Sequence, residues 1–317
     1  MSAFSLLLWL FLPDNHQDIS PMEVIQTTEQ PETKRTRLRR IAVDILLFFV
    51  LCILMNFFFA LLLLLLPKVE VSSDSPMSNT FRFMMEELLM LLCVLSASRM
   101  VLKVRGMPFS RLGLSLKGRW KDVLTGMLFA VAIYAAGFGL ALGLNAVEVS
   151  AVSFHPSSLT VGLILFFLVS VTEEVMVRGF VLGRMMDGGV NKFVALLISA
   201  VLFSLLHVFN PNFEFVSFLN ILLAGVLLGA SYIYTRNLCF PLALHWFWNW
   251  LQGPVLGYEV SGNRFEGSLF TLYLPEHNLM NGGNFGFEGS LLCTVLTIAG
   301  TALIIRHYSN SPNNGTP

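Results

Sequence analysis

The sequence predicts an all-α fold, a polytopic transmembrane bundle of about eight helices. Composition is the first reason: of 317 residues, 55% are hydrophobic and only 13% are charged, and the mean hydropathy is +0.70. A soluble domain closes its core with far less apolar sequence. The second reason is the recurrence of long apolar runs. We therefore expect an integral membrane protein in contact with the lipid bilayer.

Eight apolar runs come near the length, about 20 residues, that a helix needs to cross a bilayer. They lie at roughly 41–66, 83–102, 123–145, 160–184, 193–209, 215–234, 238–252 and 289–305. The fifth and seventh are short, so they are expected to be tilted, buried in the bundle or extended by neighbouring residues. The predicted division is an N-terminal extension 1–40, a helical domain 41–309 and a polar tail 310–317.

Lysine and arginine in short loops predict the orientation, because basic residues remain on the cytoplasmic side. They cluster before the first helix and between the second and third: Lys34, Arg35, Arg37, Arg39, Arg40, Arg99, Lys103, Arg105, Arg111, Lys117, Arg119 and Lys121. With an even number of helices, both termini are expected in the cytoplasm, and the cell membrane is the expected location. The glycine-rich loop 253–288 is then outside, where it could fold over the outer mouth of the bundle.

The charge and the cysteines of the chain argue against a nucleic-acid partner and against disulfide or thiolate zinc sites. The formal net charge is zero, and no stripe of basic and aromatic residues is present, so no nucleic-acid partner is expected. The four cysteines fall in apolar segments without CxxC spacing, so we expect buried thiols instead of disulfides or a thiolate zinc site.

Two adjacent glutamates interrupt the fourth predicted helix at a depth where charge is costly. Glu173 and Glu174 lie within FFLVSVTEEVMVRG, where a carboxylate costs on the order of 3 kcal/mol. A second doublet, Glu86 and Glu87, lies near the start of its helix and is expected to be a solvated end. Glu173 and Glu174 therefore need partners or a water-filled cavity.

Helical spacing gives these two glutamates different surroundings. Glu174 and Arg178 are i and i+4, which favours an ion pair, whereas Glu173 is rotated by about 100° from that face. If helices four and five form a hairpin at the DGG turn, residues 187–189, Glu173 and His207 lie at the same level, roughly 25 Å from the turn. Glu173 is thus expected to face His207.

Three further polar residues occur in apolar helices. His207 follows Phe203 by one turn in FSLLH, and His245 and Asn249 are i and i+4 in HWFWNW, whose tryptophans are expected to serve packing. Such a set of ionisable and polar groups on three membrane helices is a candidate functional site.

The chemistry of these side chains suits hydrolysis. Glu173 and His207 could hold and deprotonate a water molecule, while His245 and Asn249 could donate to an oxyanion. Glu173, His207 and His245 could instead bind zinc with one open position. The sequence alone does not separate the two routes, and it contains neither HExxH nor GxSxG.

The segments EEVMVRG, FSLLH and HWFWN resemble, in this order, the EExxxR, FxxxH and HxxxN motifs of the CAAX protease and bacteriocin-processing (CPBP/Abi) family. The resemblance covers roughly residues 120–252, the expected catalytic core. It implies an intramembrane endopeptidase in which Glu173, His207, His245 and Asn249 are catalytic. Members include the type II CAAX prenyl proteases.

The same resemblance implies that Glu174, Arg178 and the motif residue Phe203 support the site. The expected function is hydrolysis of a peptide bond in a membrane-associated peptide or protein, with the prenylation of the substrate left open. The alternatives are a non-proteolytic scaffold or bacteriocin-immunity protein of the same family, and a proton-coupled transporter.

Overall fold

The computed structural model describes residues 32–64, 76–275 and 278–310. Most of the predicted extension 1–40 and nearly all of the tail 310–317 lie outside these residues. The described part of the chain contains eight main helices: α1 Lys34–Leu64, α2 Pro76–Val104, α3 Trp120–Gly143, α4 Pro156–Asp187, α5 Lys192–Leu206, α6 Phe215–Thr235, α7 Cys239–Trp250 and α8 Leu291–Ser309. The predicted all-α fold is confirmed.

Two short strands complete the architecture. β1, Glu148–Val152, precedes α4 and pairs antiparallel with β2, Phe270–Tyr273, in the long loop before α8. Single 3-10 turns lie at Phe109–Leu112, Gly283–Phe285 and Phe287–Gly289. The basic residues from Lys34 to Arg40 form the first turns of α1 instead of a loop before it.

Among the residues that the structure describes, five helical segments are long and apolar enough to cross a membrane: Lys34–Leu62 of α1, and α3, α4, α6 and α8. α5 and α7 have only 15 and 12 residues, as their short apolar runs predict. α7 packs against both α3 and α4, and none of its side chains is exposed. Burial inside the bundle therefore accounts for its shortness.

The α4–α5 hairpin forms at the predicted DGG turn. α4 ends at Asp187, and Gly189 adopts a left-handed φ of 76°, a conformation that costs glycine no steric energy. The Asn191 side chain then accepts hydrogen bonds from the backbone N–H groups of Phe193 and Val194 at 3.0 and 3.4 Å. This N-cap fixes the start of α5.

Ion pairs join four helices at the basic end of the bundle. Asp44 of α1 is fully buried and accepts from Arg105 at 2.6 Å and from Arg184 at 2.5 Å. Asp187, at the end of α4, pairs with Arg236 at the end of α6. These ion pairs therefore connect α1, the end of α2, α4 and α6.

We expect Asp44→Asn to lower the free energy of unfolding by about 3 kcal/mol, because the buried Arg184 then keeps only the more distant Asp187 carboxylate at 3.9 Å. Thermal or denaturant unfolding in detergent measures the change. The matched control is Asp122→Asn, which breaks the partly exposed Arg119–Asp122 pair and should change stability by less than about 1 kcal/mol. Equal losses in the two variants would contradict a structural role for the buried cluster.

Candidate active site

The glutamate doublet lies where the backbone of α4 changes its winding. Pro156–Glu174 is regular α-helix, and Val175–Leu182 is π-helical. A π-helical turn is wider than an α-helical one and occurs frequently at functional sites. Arg178, four residues after Glu174, is carried by this wider segment.

Arg178 and Glu174 form a buried ion pair. Nη1 of Arg178 donates to Oε1 of Glu174 at 2.8 Å, and both side chains are fully buried. Nη2 of Arg178 donates to the Gly225 carbonyl at 3.2 Å, and the guanidinium lies 4.3 Å from the centroid of the Phe203 ring. The pair therefore has the spacing expected from the sequence and adds contacts with α5 and α6.

His245 joins the same carboxylate from α7. Its Nδ1 lies 2.9 Å from Oε1 of Glu174, and its Nε2 lies 3.6 Å from Oε2 of Glu173. A carboxylate accepts, so Nδ1 carries a proton that it donates to Glu174, and this bond sets the orientation of the ring. One oxygen of Glu174 thus receives hydrogen bonds from two helices.

The three tryptophans of HWFWNW do more than pack. The indole N–H of Trp246 donates to the Leu163 carbonyl at 2.8 Å, and that of Trp250 donates to the Leu159 carbonyl at 3.1 Å, so both bind α4. The indole N–H of Trp248 donates to Glu288 at 3.0 Å. These bonds fix the rotation of α7 about its own axis, and with it the face that carries His245 and Asn249.

His207 lies directly after the last residue of α5. Its Nδ1 is 2.8 Å from the Phe203 carbonyl, and the two rings meet edge to face at 4.7 Å. Because a carbonyl can only accept, the neutral ring carries its proton on Nδ1. Its Nε2 is then the basic nitrogen.

A cavity of about 680 Å³ brings the four predicted catalytic residues together. Its walls include Glu173, His207, His245 and Asn249. The volume falls in the range of small-molecule and peptide sites. Phe203 also lines it, whereas Glu174 and Arg178 lie behind the wall.

Glu173 and His207, which the sequence predicts to face each other, both line the cavity. The ion-pair contact of Glu173 is with His245, at 3.6 Å. Among the described residues, no ion pair joins Glu173 to His207. Their direct contact therefore stays a prediction.

The zinc alternative requires Glu173, His207 and His245 to converge on one metal ion. Nδ1 of His245 donates to Glu174, and Nδ1 of His207 faces a carbonyl. Such bonds fix the two rings and leave Nε2 of each as the atom that could bind a metal. Among the residues that the structure describes, however, no group of three His, Cys, Asp or Glu side chains is arranged to hold a metal ion, so these three side chains do not form a zinc site in this arrangement.

Besides Glu173, the cavity is lined by Glu87, Glu266 and Glu288, for which the sequence predicts no role in the site. Glu87 of α2 lines it together with Phe83 and Met90, so the expectation of a merely solvated helix end was wrong for this residue. Glu288 is 5% exposed and also lines the cavity. Its position in the apolar, glycine-rich stretch NFGFEGS was the available signal.

We expect Arg178→Gln to destabilise the protein by about 3 to 5 kcal/mol, because the buried carboxylate of Glu174 then lacks its cation. The double variant Glu174→Gln/Arg178→Gln should be less destabilised than the sum of the single variants. Unfolding in detergent measures both values.

The exposed pair Arg82 and Glu86 is the matched control, since it also has i, i+4 spacing and its side chains are 77% and 60% exposed. Arg82→Gln should change stability by only a few tenths of a kcal/mol, about the value of an exposed helical pair. Additive effects of the Glu174 and Arg178 substitutions would contradict the coupling.

One of three comparisons with known proteins found a match. Searches of curated proteins and of solved structures found no significant match. A scan against protein-family models matched one family over α4 to the last turn of α7, the part of the chain that contains all three motifs and the four cavity-lining candidates. The family resemblance is thereby confirmed, and an intramembrane protease kind of function is supported: residues 155–251 of this integral membrane protein match the Rce1-like family of type II CAAX prenyl endopeptidases.

Proposed function

We propose that the protein is an intramembrane endopeptidase that hydrolyses a peptide bond of a membrane-associated peptide or protein. The observation that carries this proposal is the shared cavity, in which a carboxylate, two imidazoles and an amide meet. These groups suffice for water activation and oxyanion binding. Their convergence from three helices inside an apolar bundle suits chemistry better than helix packing.

Glu173 is proposed as the general base. Its carboxylate takes a proton from a water molecule while the water oxygen bonds to the carbonyl carbon of the scissile peptide. Nε2 of His207, the basic nitrogen of that ring, accepts a hydrogen bond from the second hydrogen of the water and orients the molecule without taking that proton. When the carbon–nitrogen bond breaks, the proton held by Glu173 passes to the leaving amine, and the base is restored.

His245 and Asn249 are proposed to stabilise the oxyanion of the tetrahedral intermediate. They lie one turn apart on α7, so Nε2–H of a protonated His245 and the amide N–H of Asn249 can point to the same oxygen. Glu174 holds the opposite nitrogen of the His245 ring. Arg178 neutralises Glu174, and the Glu174–Arg178 pair therefore supports the site from behind.

The walls of the cavity suit an amphipathic substrate. Phe83, Met90, Phe166 and Leu206 form apolar parts, whereas Ser261, Asn263, Arg264 and Glu266 of the loop before α8 form a polar part. An apolar chain or transmembrane segment fits the first surface, and a polar peptide backbone fits the second. We propose that substrates enter from the side of this loop, and that this side is the non-cytoplasmic one, as the distribution of basic residues predicts.

Glu173→Gln tests the general base. The expected loss in kcat is about 10²- to 10⁴-fold, the contribution of a positioned base. Cleavage of two quenched peptides by detergent-purified protein measures it, one farnesylated on a CAAX cysteine and one containing a transmembrane segment.

Glu86→Gln is the control, since it removes an exposed carboxylate from α2 and should leave kcat unchanged. Retained cleavage in a folded Glu173→Gln variant would overturn the assignment. If the parent protein cleaves neither peptide, the non-proteolytic scaffold becomes the better explanation.

Asn249→Ala tests the oxyanion site. We expect kcat to fall by about 10²- to 10³-fold with a smaller change in KM, because an oxyanion donor acts mainly in the transition state. Asn284→Ala removes an exposed amide outside the cavity and should leave both constants near their parent values. A rise in KM at constant kcat would instead identify Asn249 as a substrate-binding residue.

A further inference from the structure

A buried carboxylate outside the proposed chemistry joins two walls of the cavity. Glu288 lies in the second 3-10 turn before α8, Phe287–Gly289, and is 5% exposed. Oε1 accepts from the indole of Trp248 at 3.0 Å, and Oε2 accepts from the backbone N–H of Ser261 at 2.9 Å and from its hydroxyl at 2.8 Å. The amide of Gln252 donates to Oε2 at 3.3 Å.

The orientation of the Gln252 amide is itself fixed. The hydroxyl of Tyr134 donates to its oxygen, and the amide nitrogen also donates to the Glu259 carbonyl at 2.6 Å. The nitrogen therefore faces Glu288. Four donor groups from three residues surround one carboxylate, and such charge-assisted hydrogen bonds are stronger than neutral ones.

On one side, this carboxylate holds α7. Trp248 directly precedes Asn249 and follows His245 by three residues. Trp246 and Trp250 attach α7 to α4, so the bond from Trp248 to Glu288 is the attachment to the loop before α8. Losing it weakens the hold on the face of α7 that carries the proposed oxyanion donors, although the bonds of Trp246, Trp250 and His245 to α4 remain.

On the other side, it holds the segment 260–266, which we call the roof. Roof residues that line the cavity are Val260, Ser261, Asn263, Arg264, Phe265 and Glu266. Ser261 has a left-handed φ of 48°, an unfavourable conformation for a residue with a side chain. The two bonds from Ser261 to Glu288 stabilise it there. The Ser261 carbonyl accepts from Asn210 at 3.0 Å, which links the roof to the connection that follows His207.

We propose that Glu288 is a positioning residue of the candidate site, which holds the roof against α7 and keeps His245 and Asn249 facing the cavity. It acts through Trp248 and Ser261. The effect on catalysis rests on the proposed peptidase function. The effect on the roof does not, and it can be measured without any substrate.

Thiol labelling of the full-length protein in detergent tests the roof. Val260 is 7% exposed, and the four native cysteines are free and buried, so Val260→Cys is a reporter measured against the unsubstituted parent. Adding Glu288→Gln should raise the rate of maleimide labelling by about tenfold or more, because each hydrogen bond to a charged group shifts an opening equilibrium by about that factor. Glu266→Gln, an exposed carboxylate of the same roof, should leave the rate unchanged.

Equal labelling rates in the Glu288→Gln and Glu266→Gln variants would overturn the proposal. If Glu288→Gln fails to fold, Ser261→Ala in the same reporter removes only one hydroxyl bond, and it should still raise the labelling rate. No increase with Ser261→Ala in a folded protein would then be the overturning result.

A peptidase assay on the same variants separates the two claims. Faster labelling together with a lower kcat supports the full proposal. Faster labelling with unchanged kcat supports the roof contact and overturns the positioning role. If the parent cleaves no peptide, the peptidase proposal and the positioning role both fail, while the labelling still decides the roof contact.

Discussion

The candidate site depends on one oxygen atom, Oε1 of Glu174. It accepts from Arg178 at 2.8 Å and from His245 at 2.9 Å in a fully buried position. An unpaired carboxylate there would cost several kcal/mol, so Arg178 is required. The buried guanidinium in turn needs the Gly225 carbonyl and the Phe203 ring. The relative positions of α4, α5, α6 and α7 are therefore tied to one buried charge.

Close backbone approach makes these contacts possible. A Cβ on Gly225 would lie 2.8 Å from Cα of Ala200, and a Cβ on Gly126 would lie 2.6 Å from the Phe240 carbonyl oxygen. Small residues let membrane helices approach in this way. They bring α6 onto α5 and α7 onto α3. α7, which is too short to cross a bilayer, is thereby enclosed and can carry polar side chains without exposing them to lipid.

Because of this packing, the adjacent glutamates Glu173 and Glu174 differ in burial. Glu174 faces the protein interior and is fully buried, while Glu173, about 100° further around α4, borders the cavity with its side chain 28% exposed. Because Glu174 is buried and paired with Arg178, it is suited to holding the other residues of the site in place. Partial exposure leaves Glu173 able to meet a water molecule and a substrate. Glu288, in the loop before α8, is a third carboxylate at the site, and both of its oxygens accept hydrogen bonds from neighbouring residues.

Local periodicity and composition were enough to predict the eight helices, the DGG hairpin and the Glu174–Arg178 and His245–Asn249 pairs, because each depends on residues a few positions apart. Helix register also predicted, to within about one turn, that Glu173 and His207 lie at the same level. The π-helical winding of Val175–Leu182, the contact of Glu173 with His245, and the cavity positions of Glu87 and Glu288 did not follow. These depend on how distant segments pack, since side-chain direction across a helix interface changes with small rotations and shifts that no local pattern encodes. The sequence by itself determined which polar groups enter the bundle, and the tertiary structure decided which of them meet.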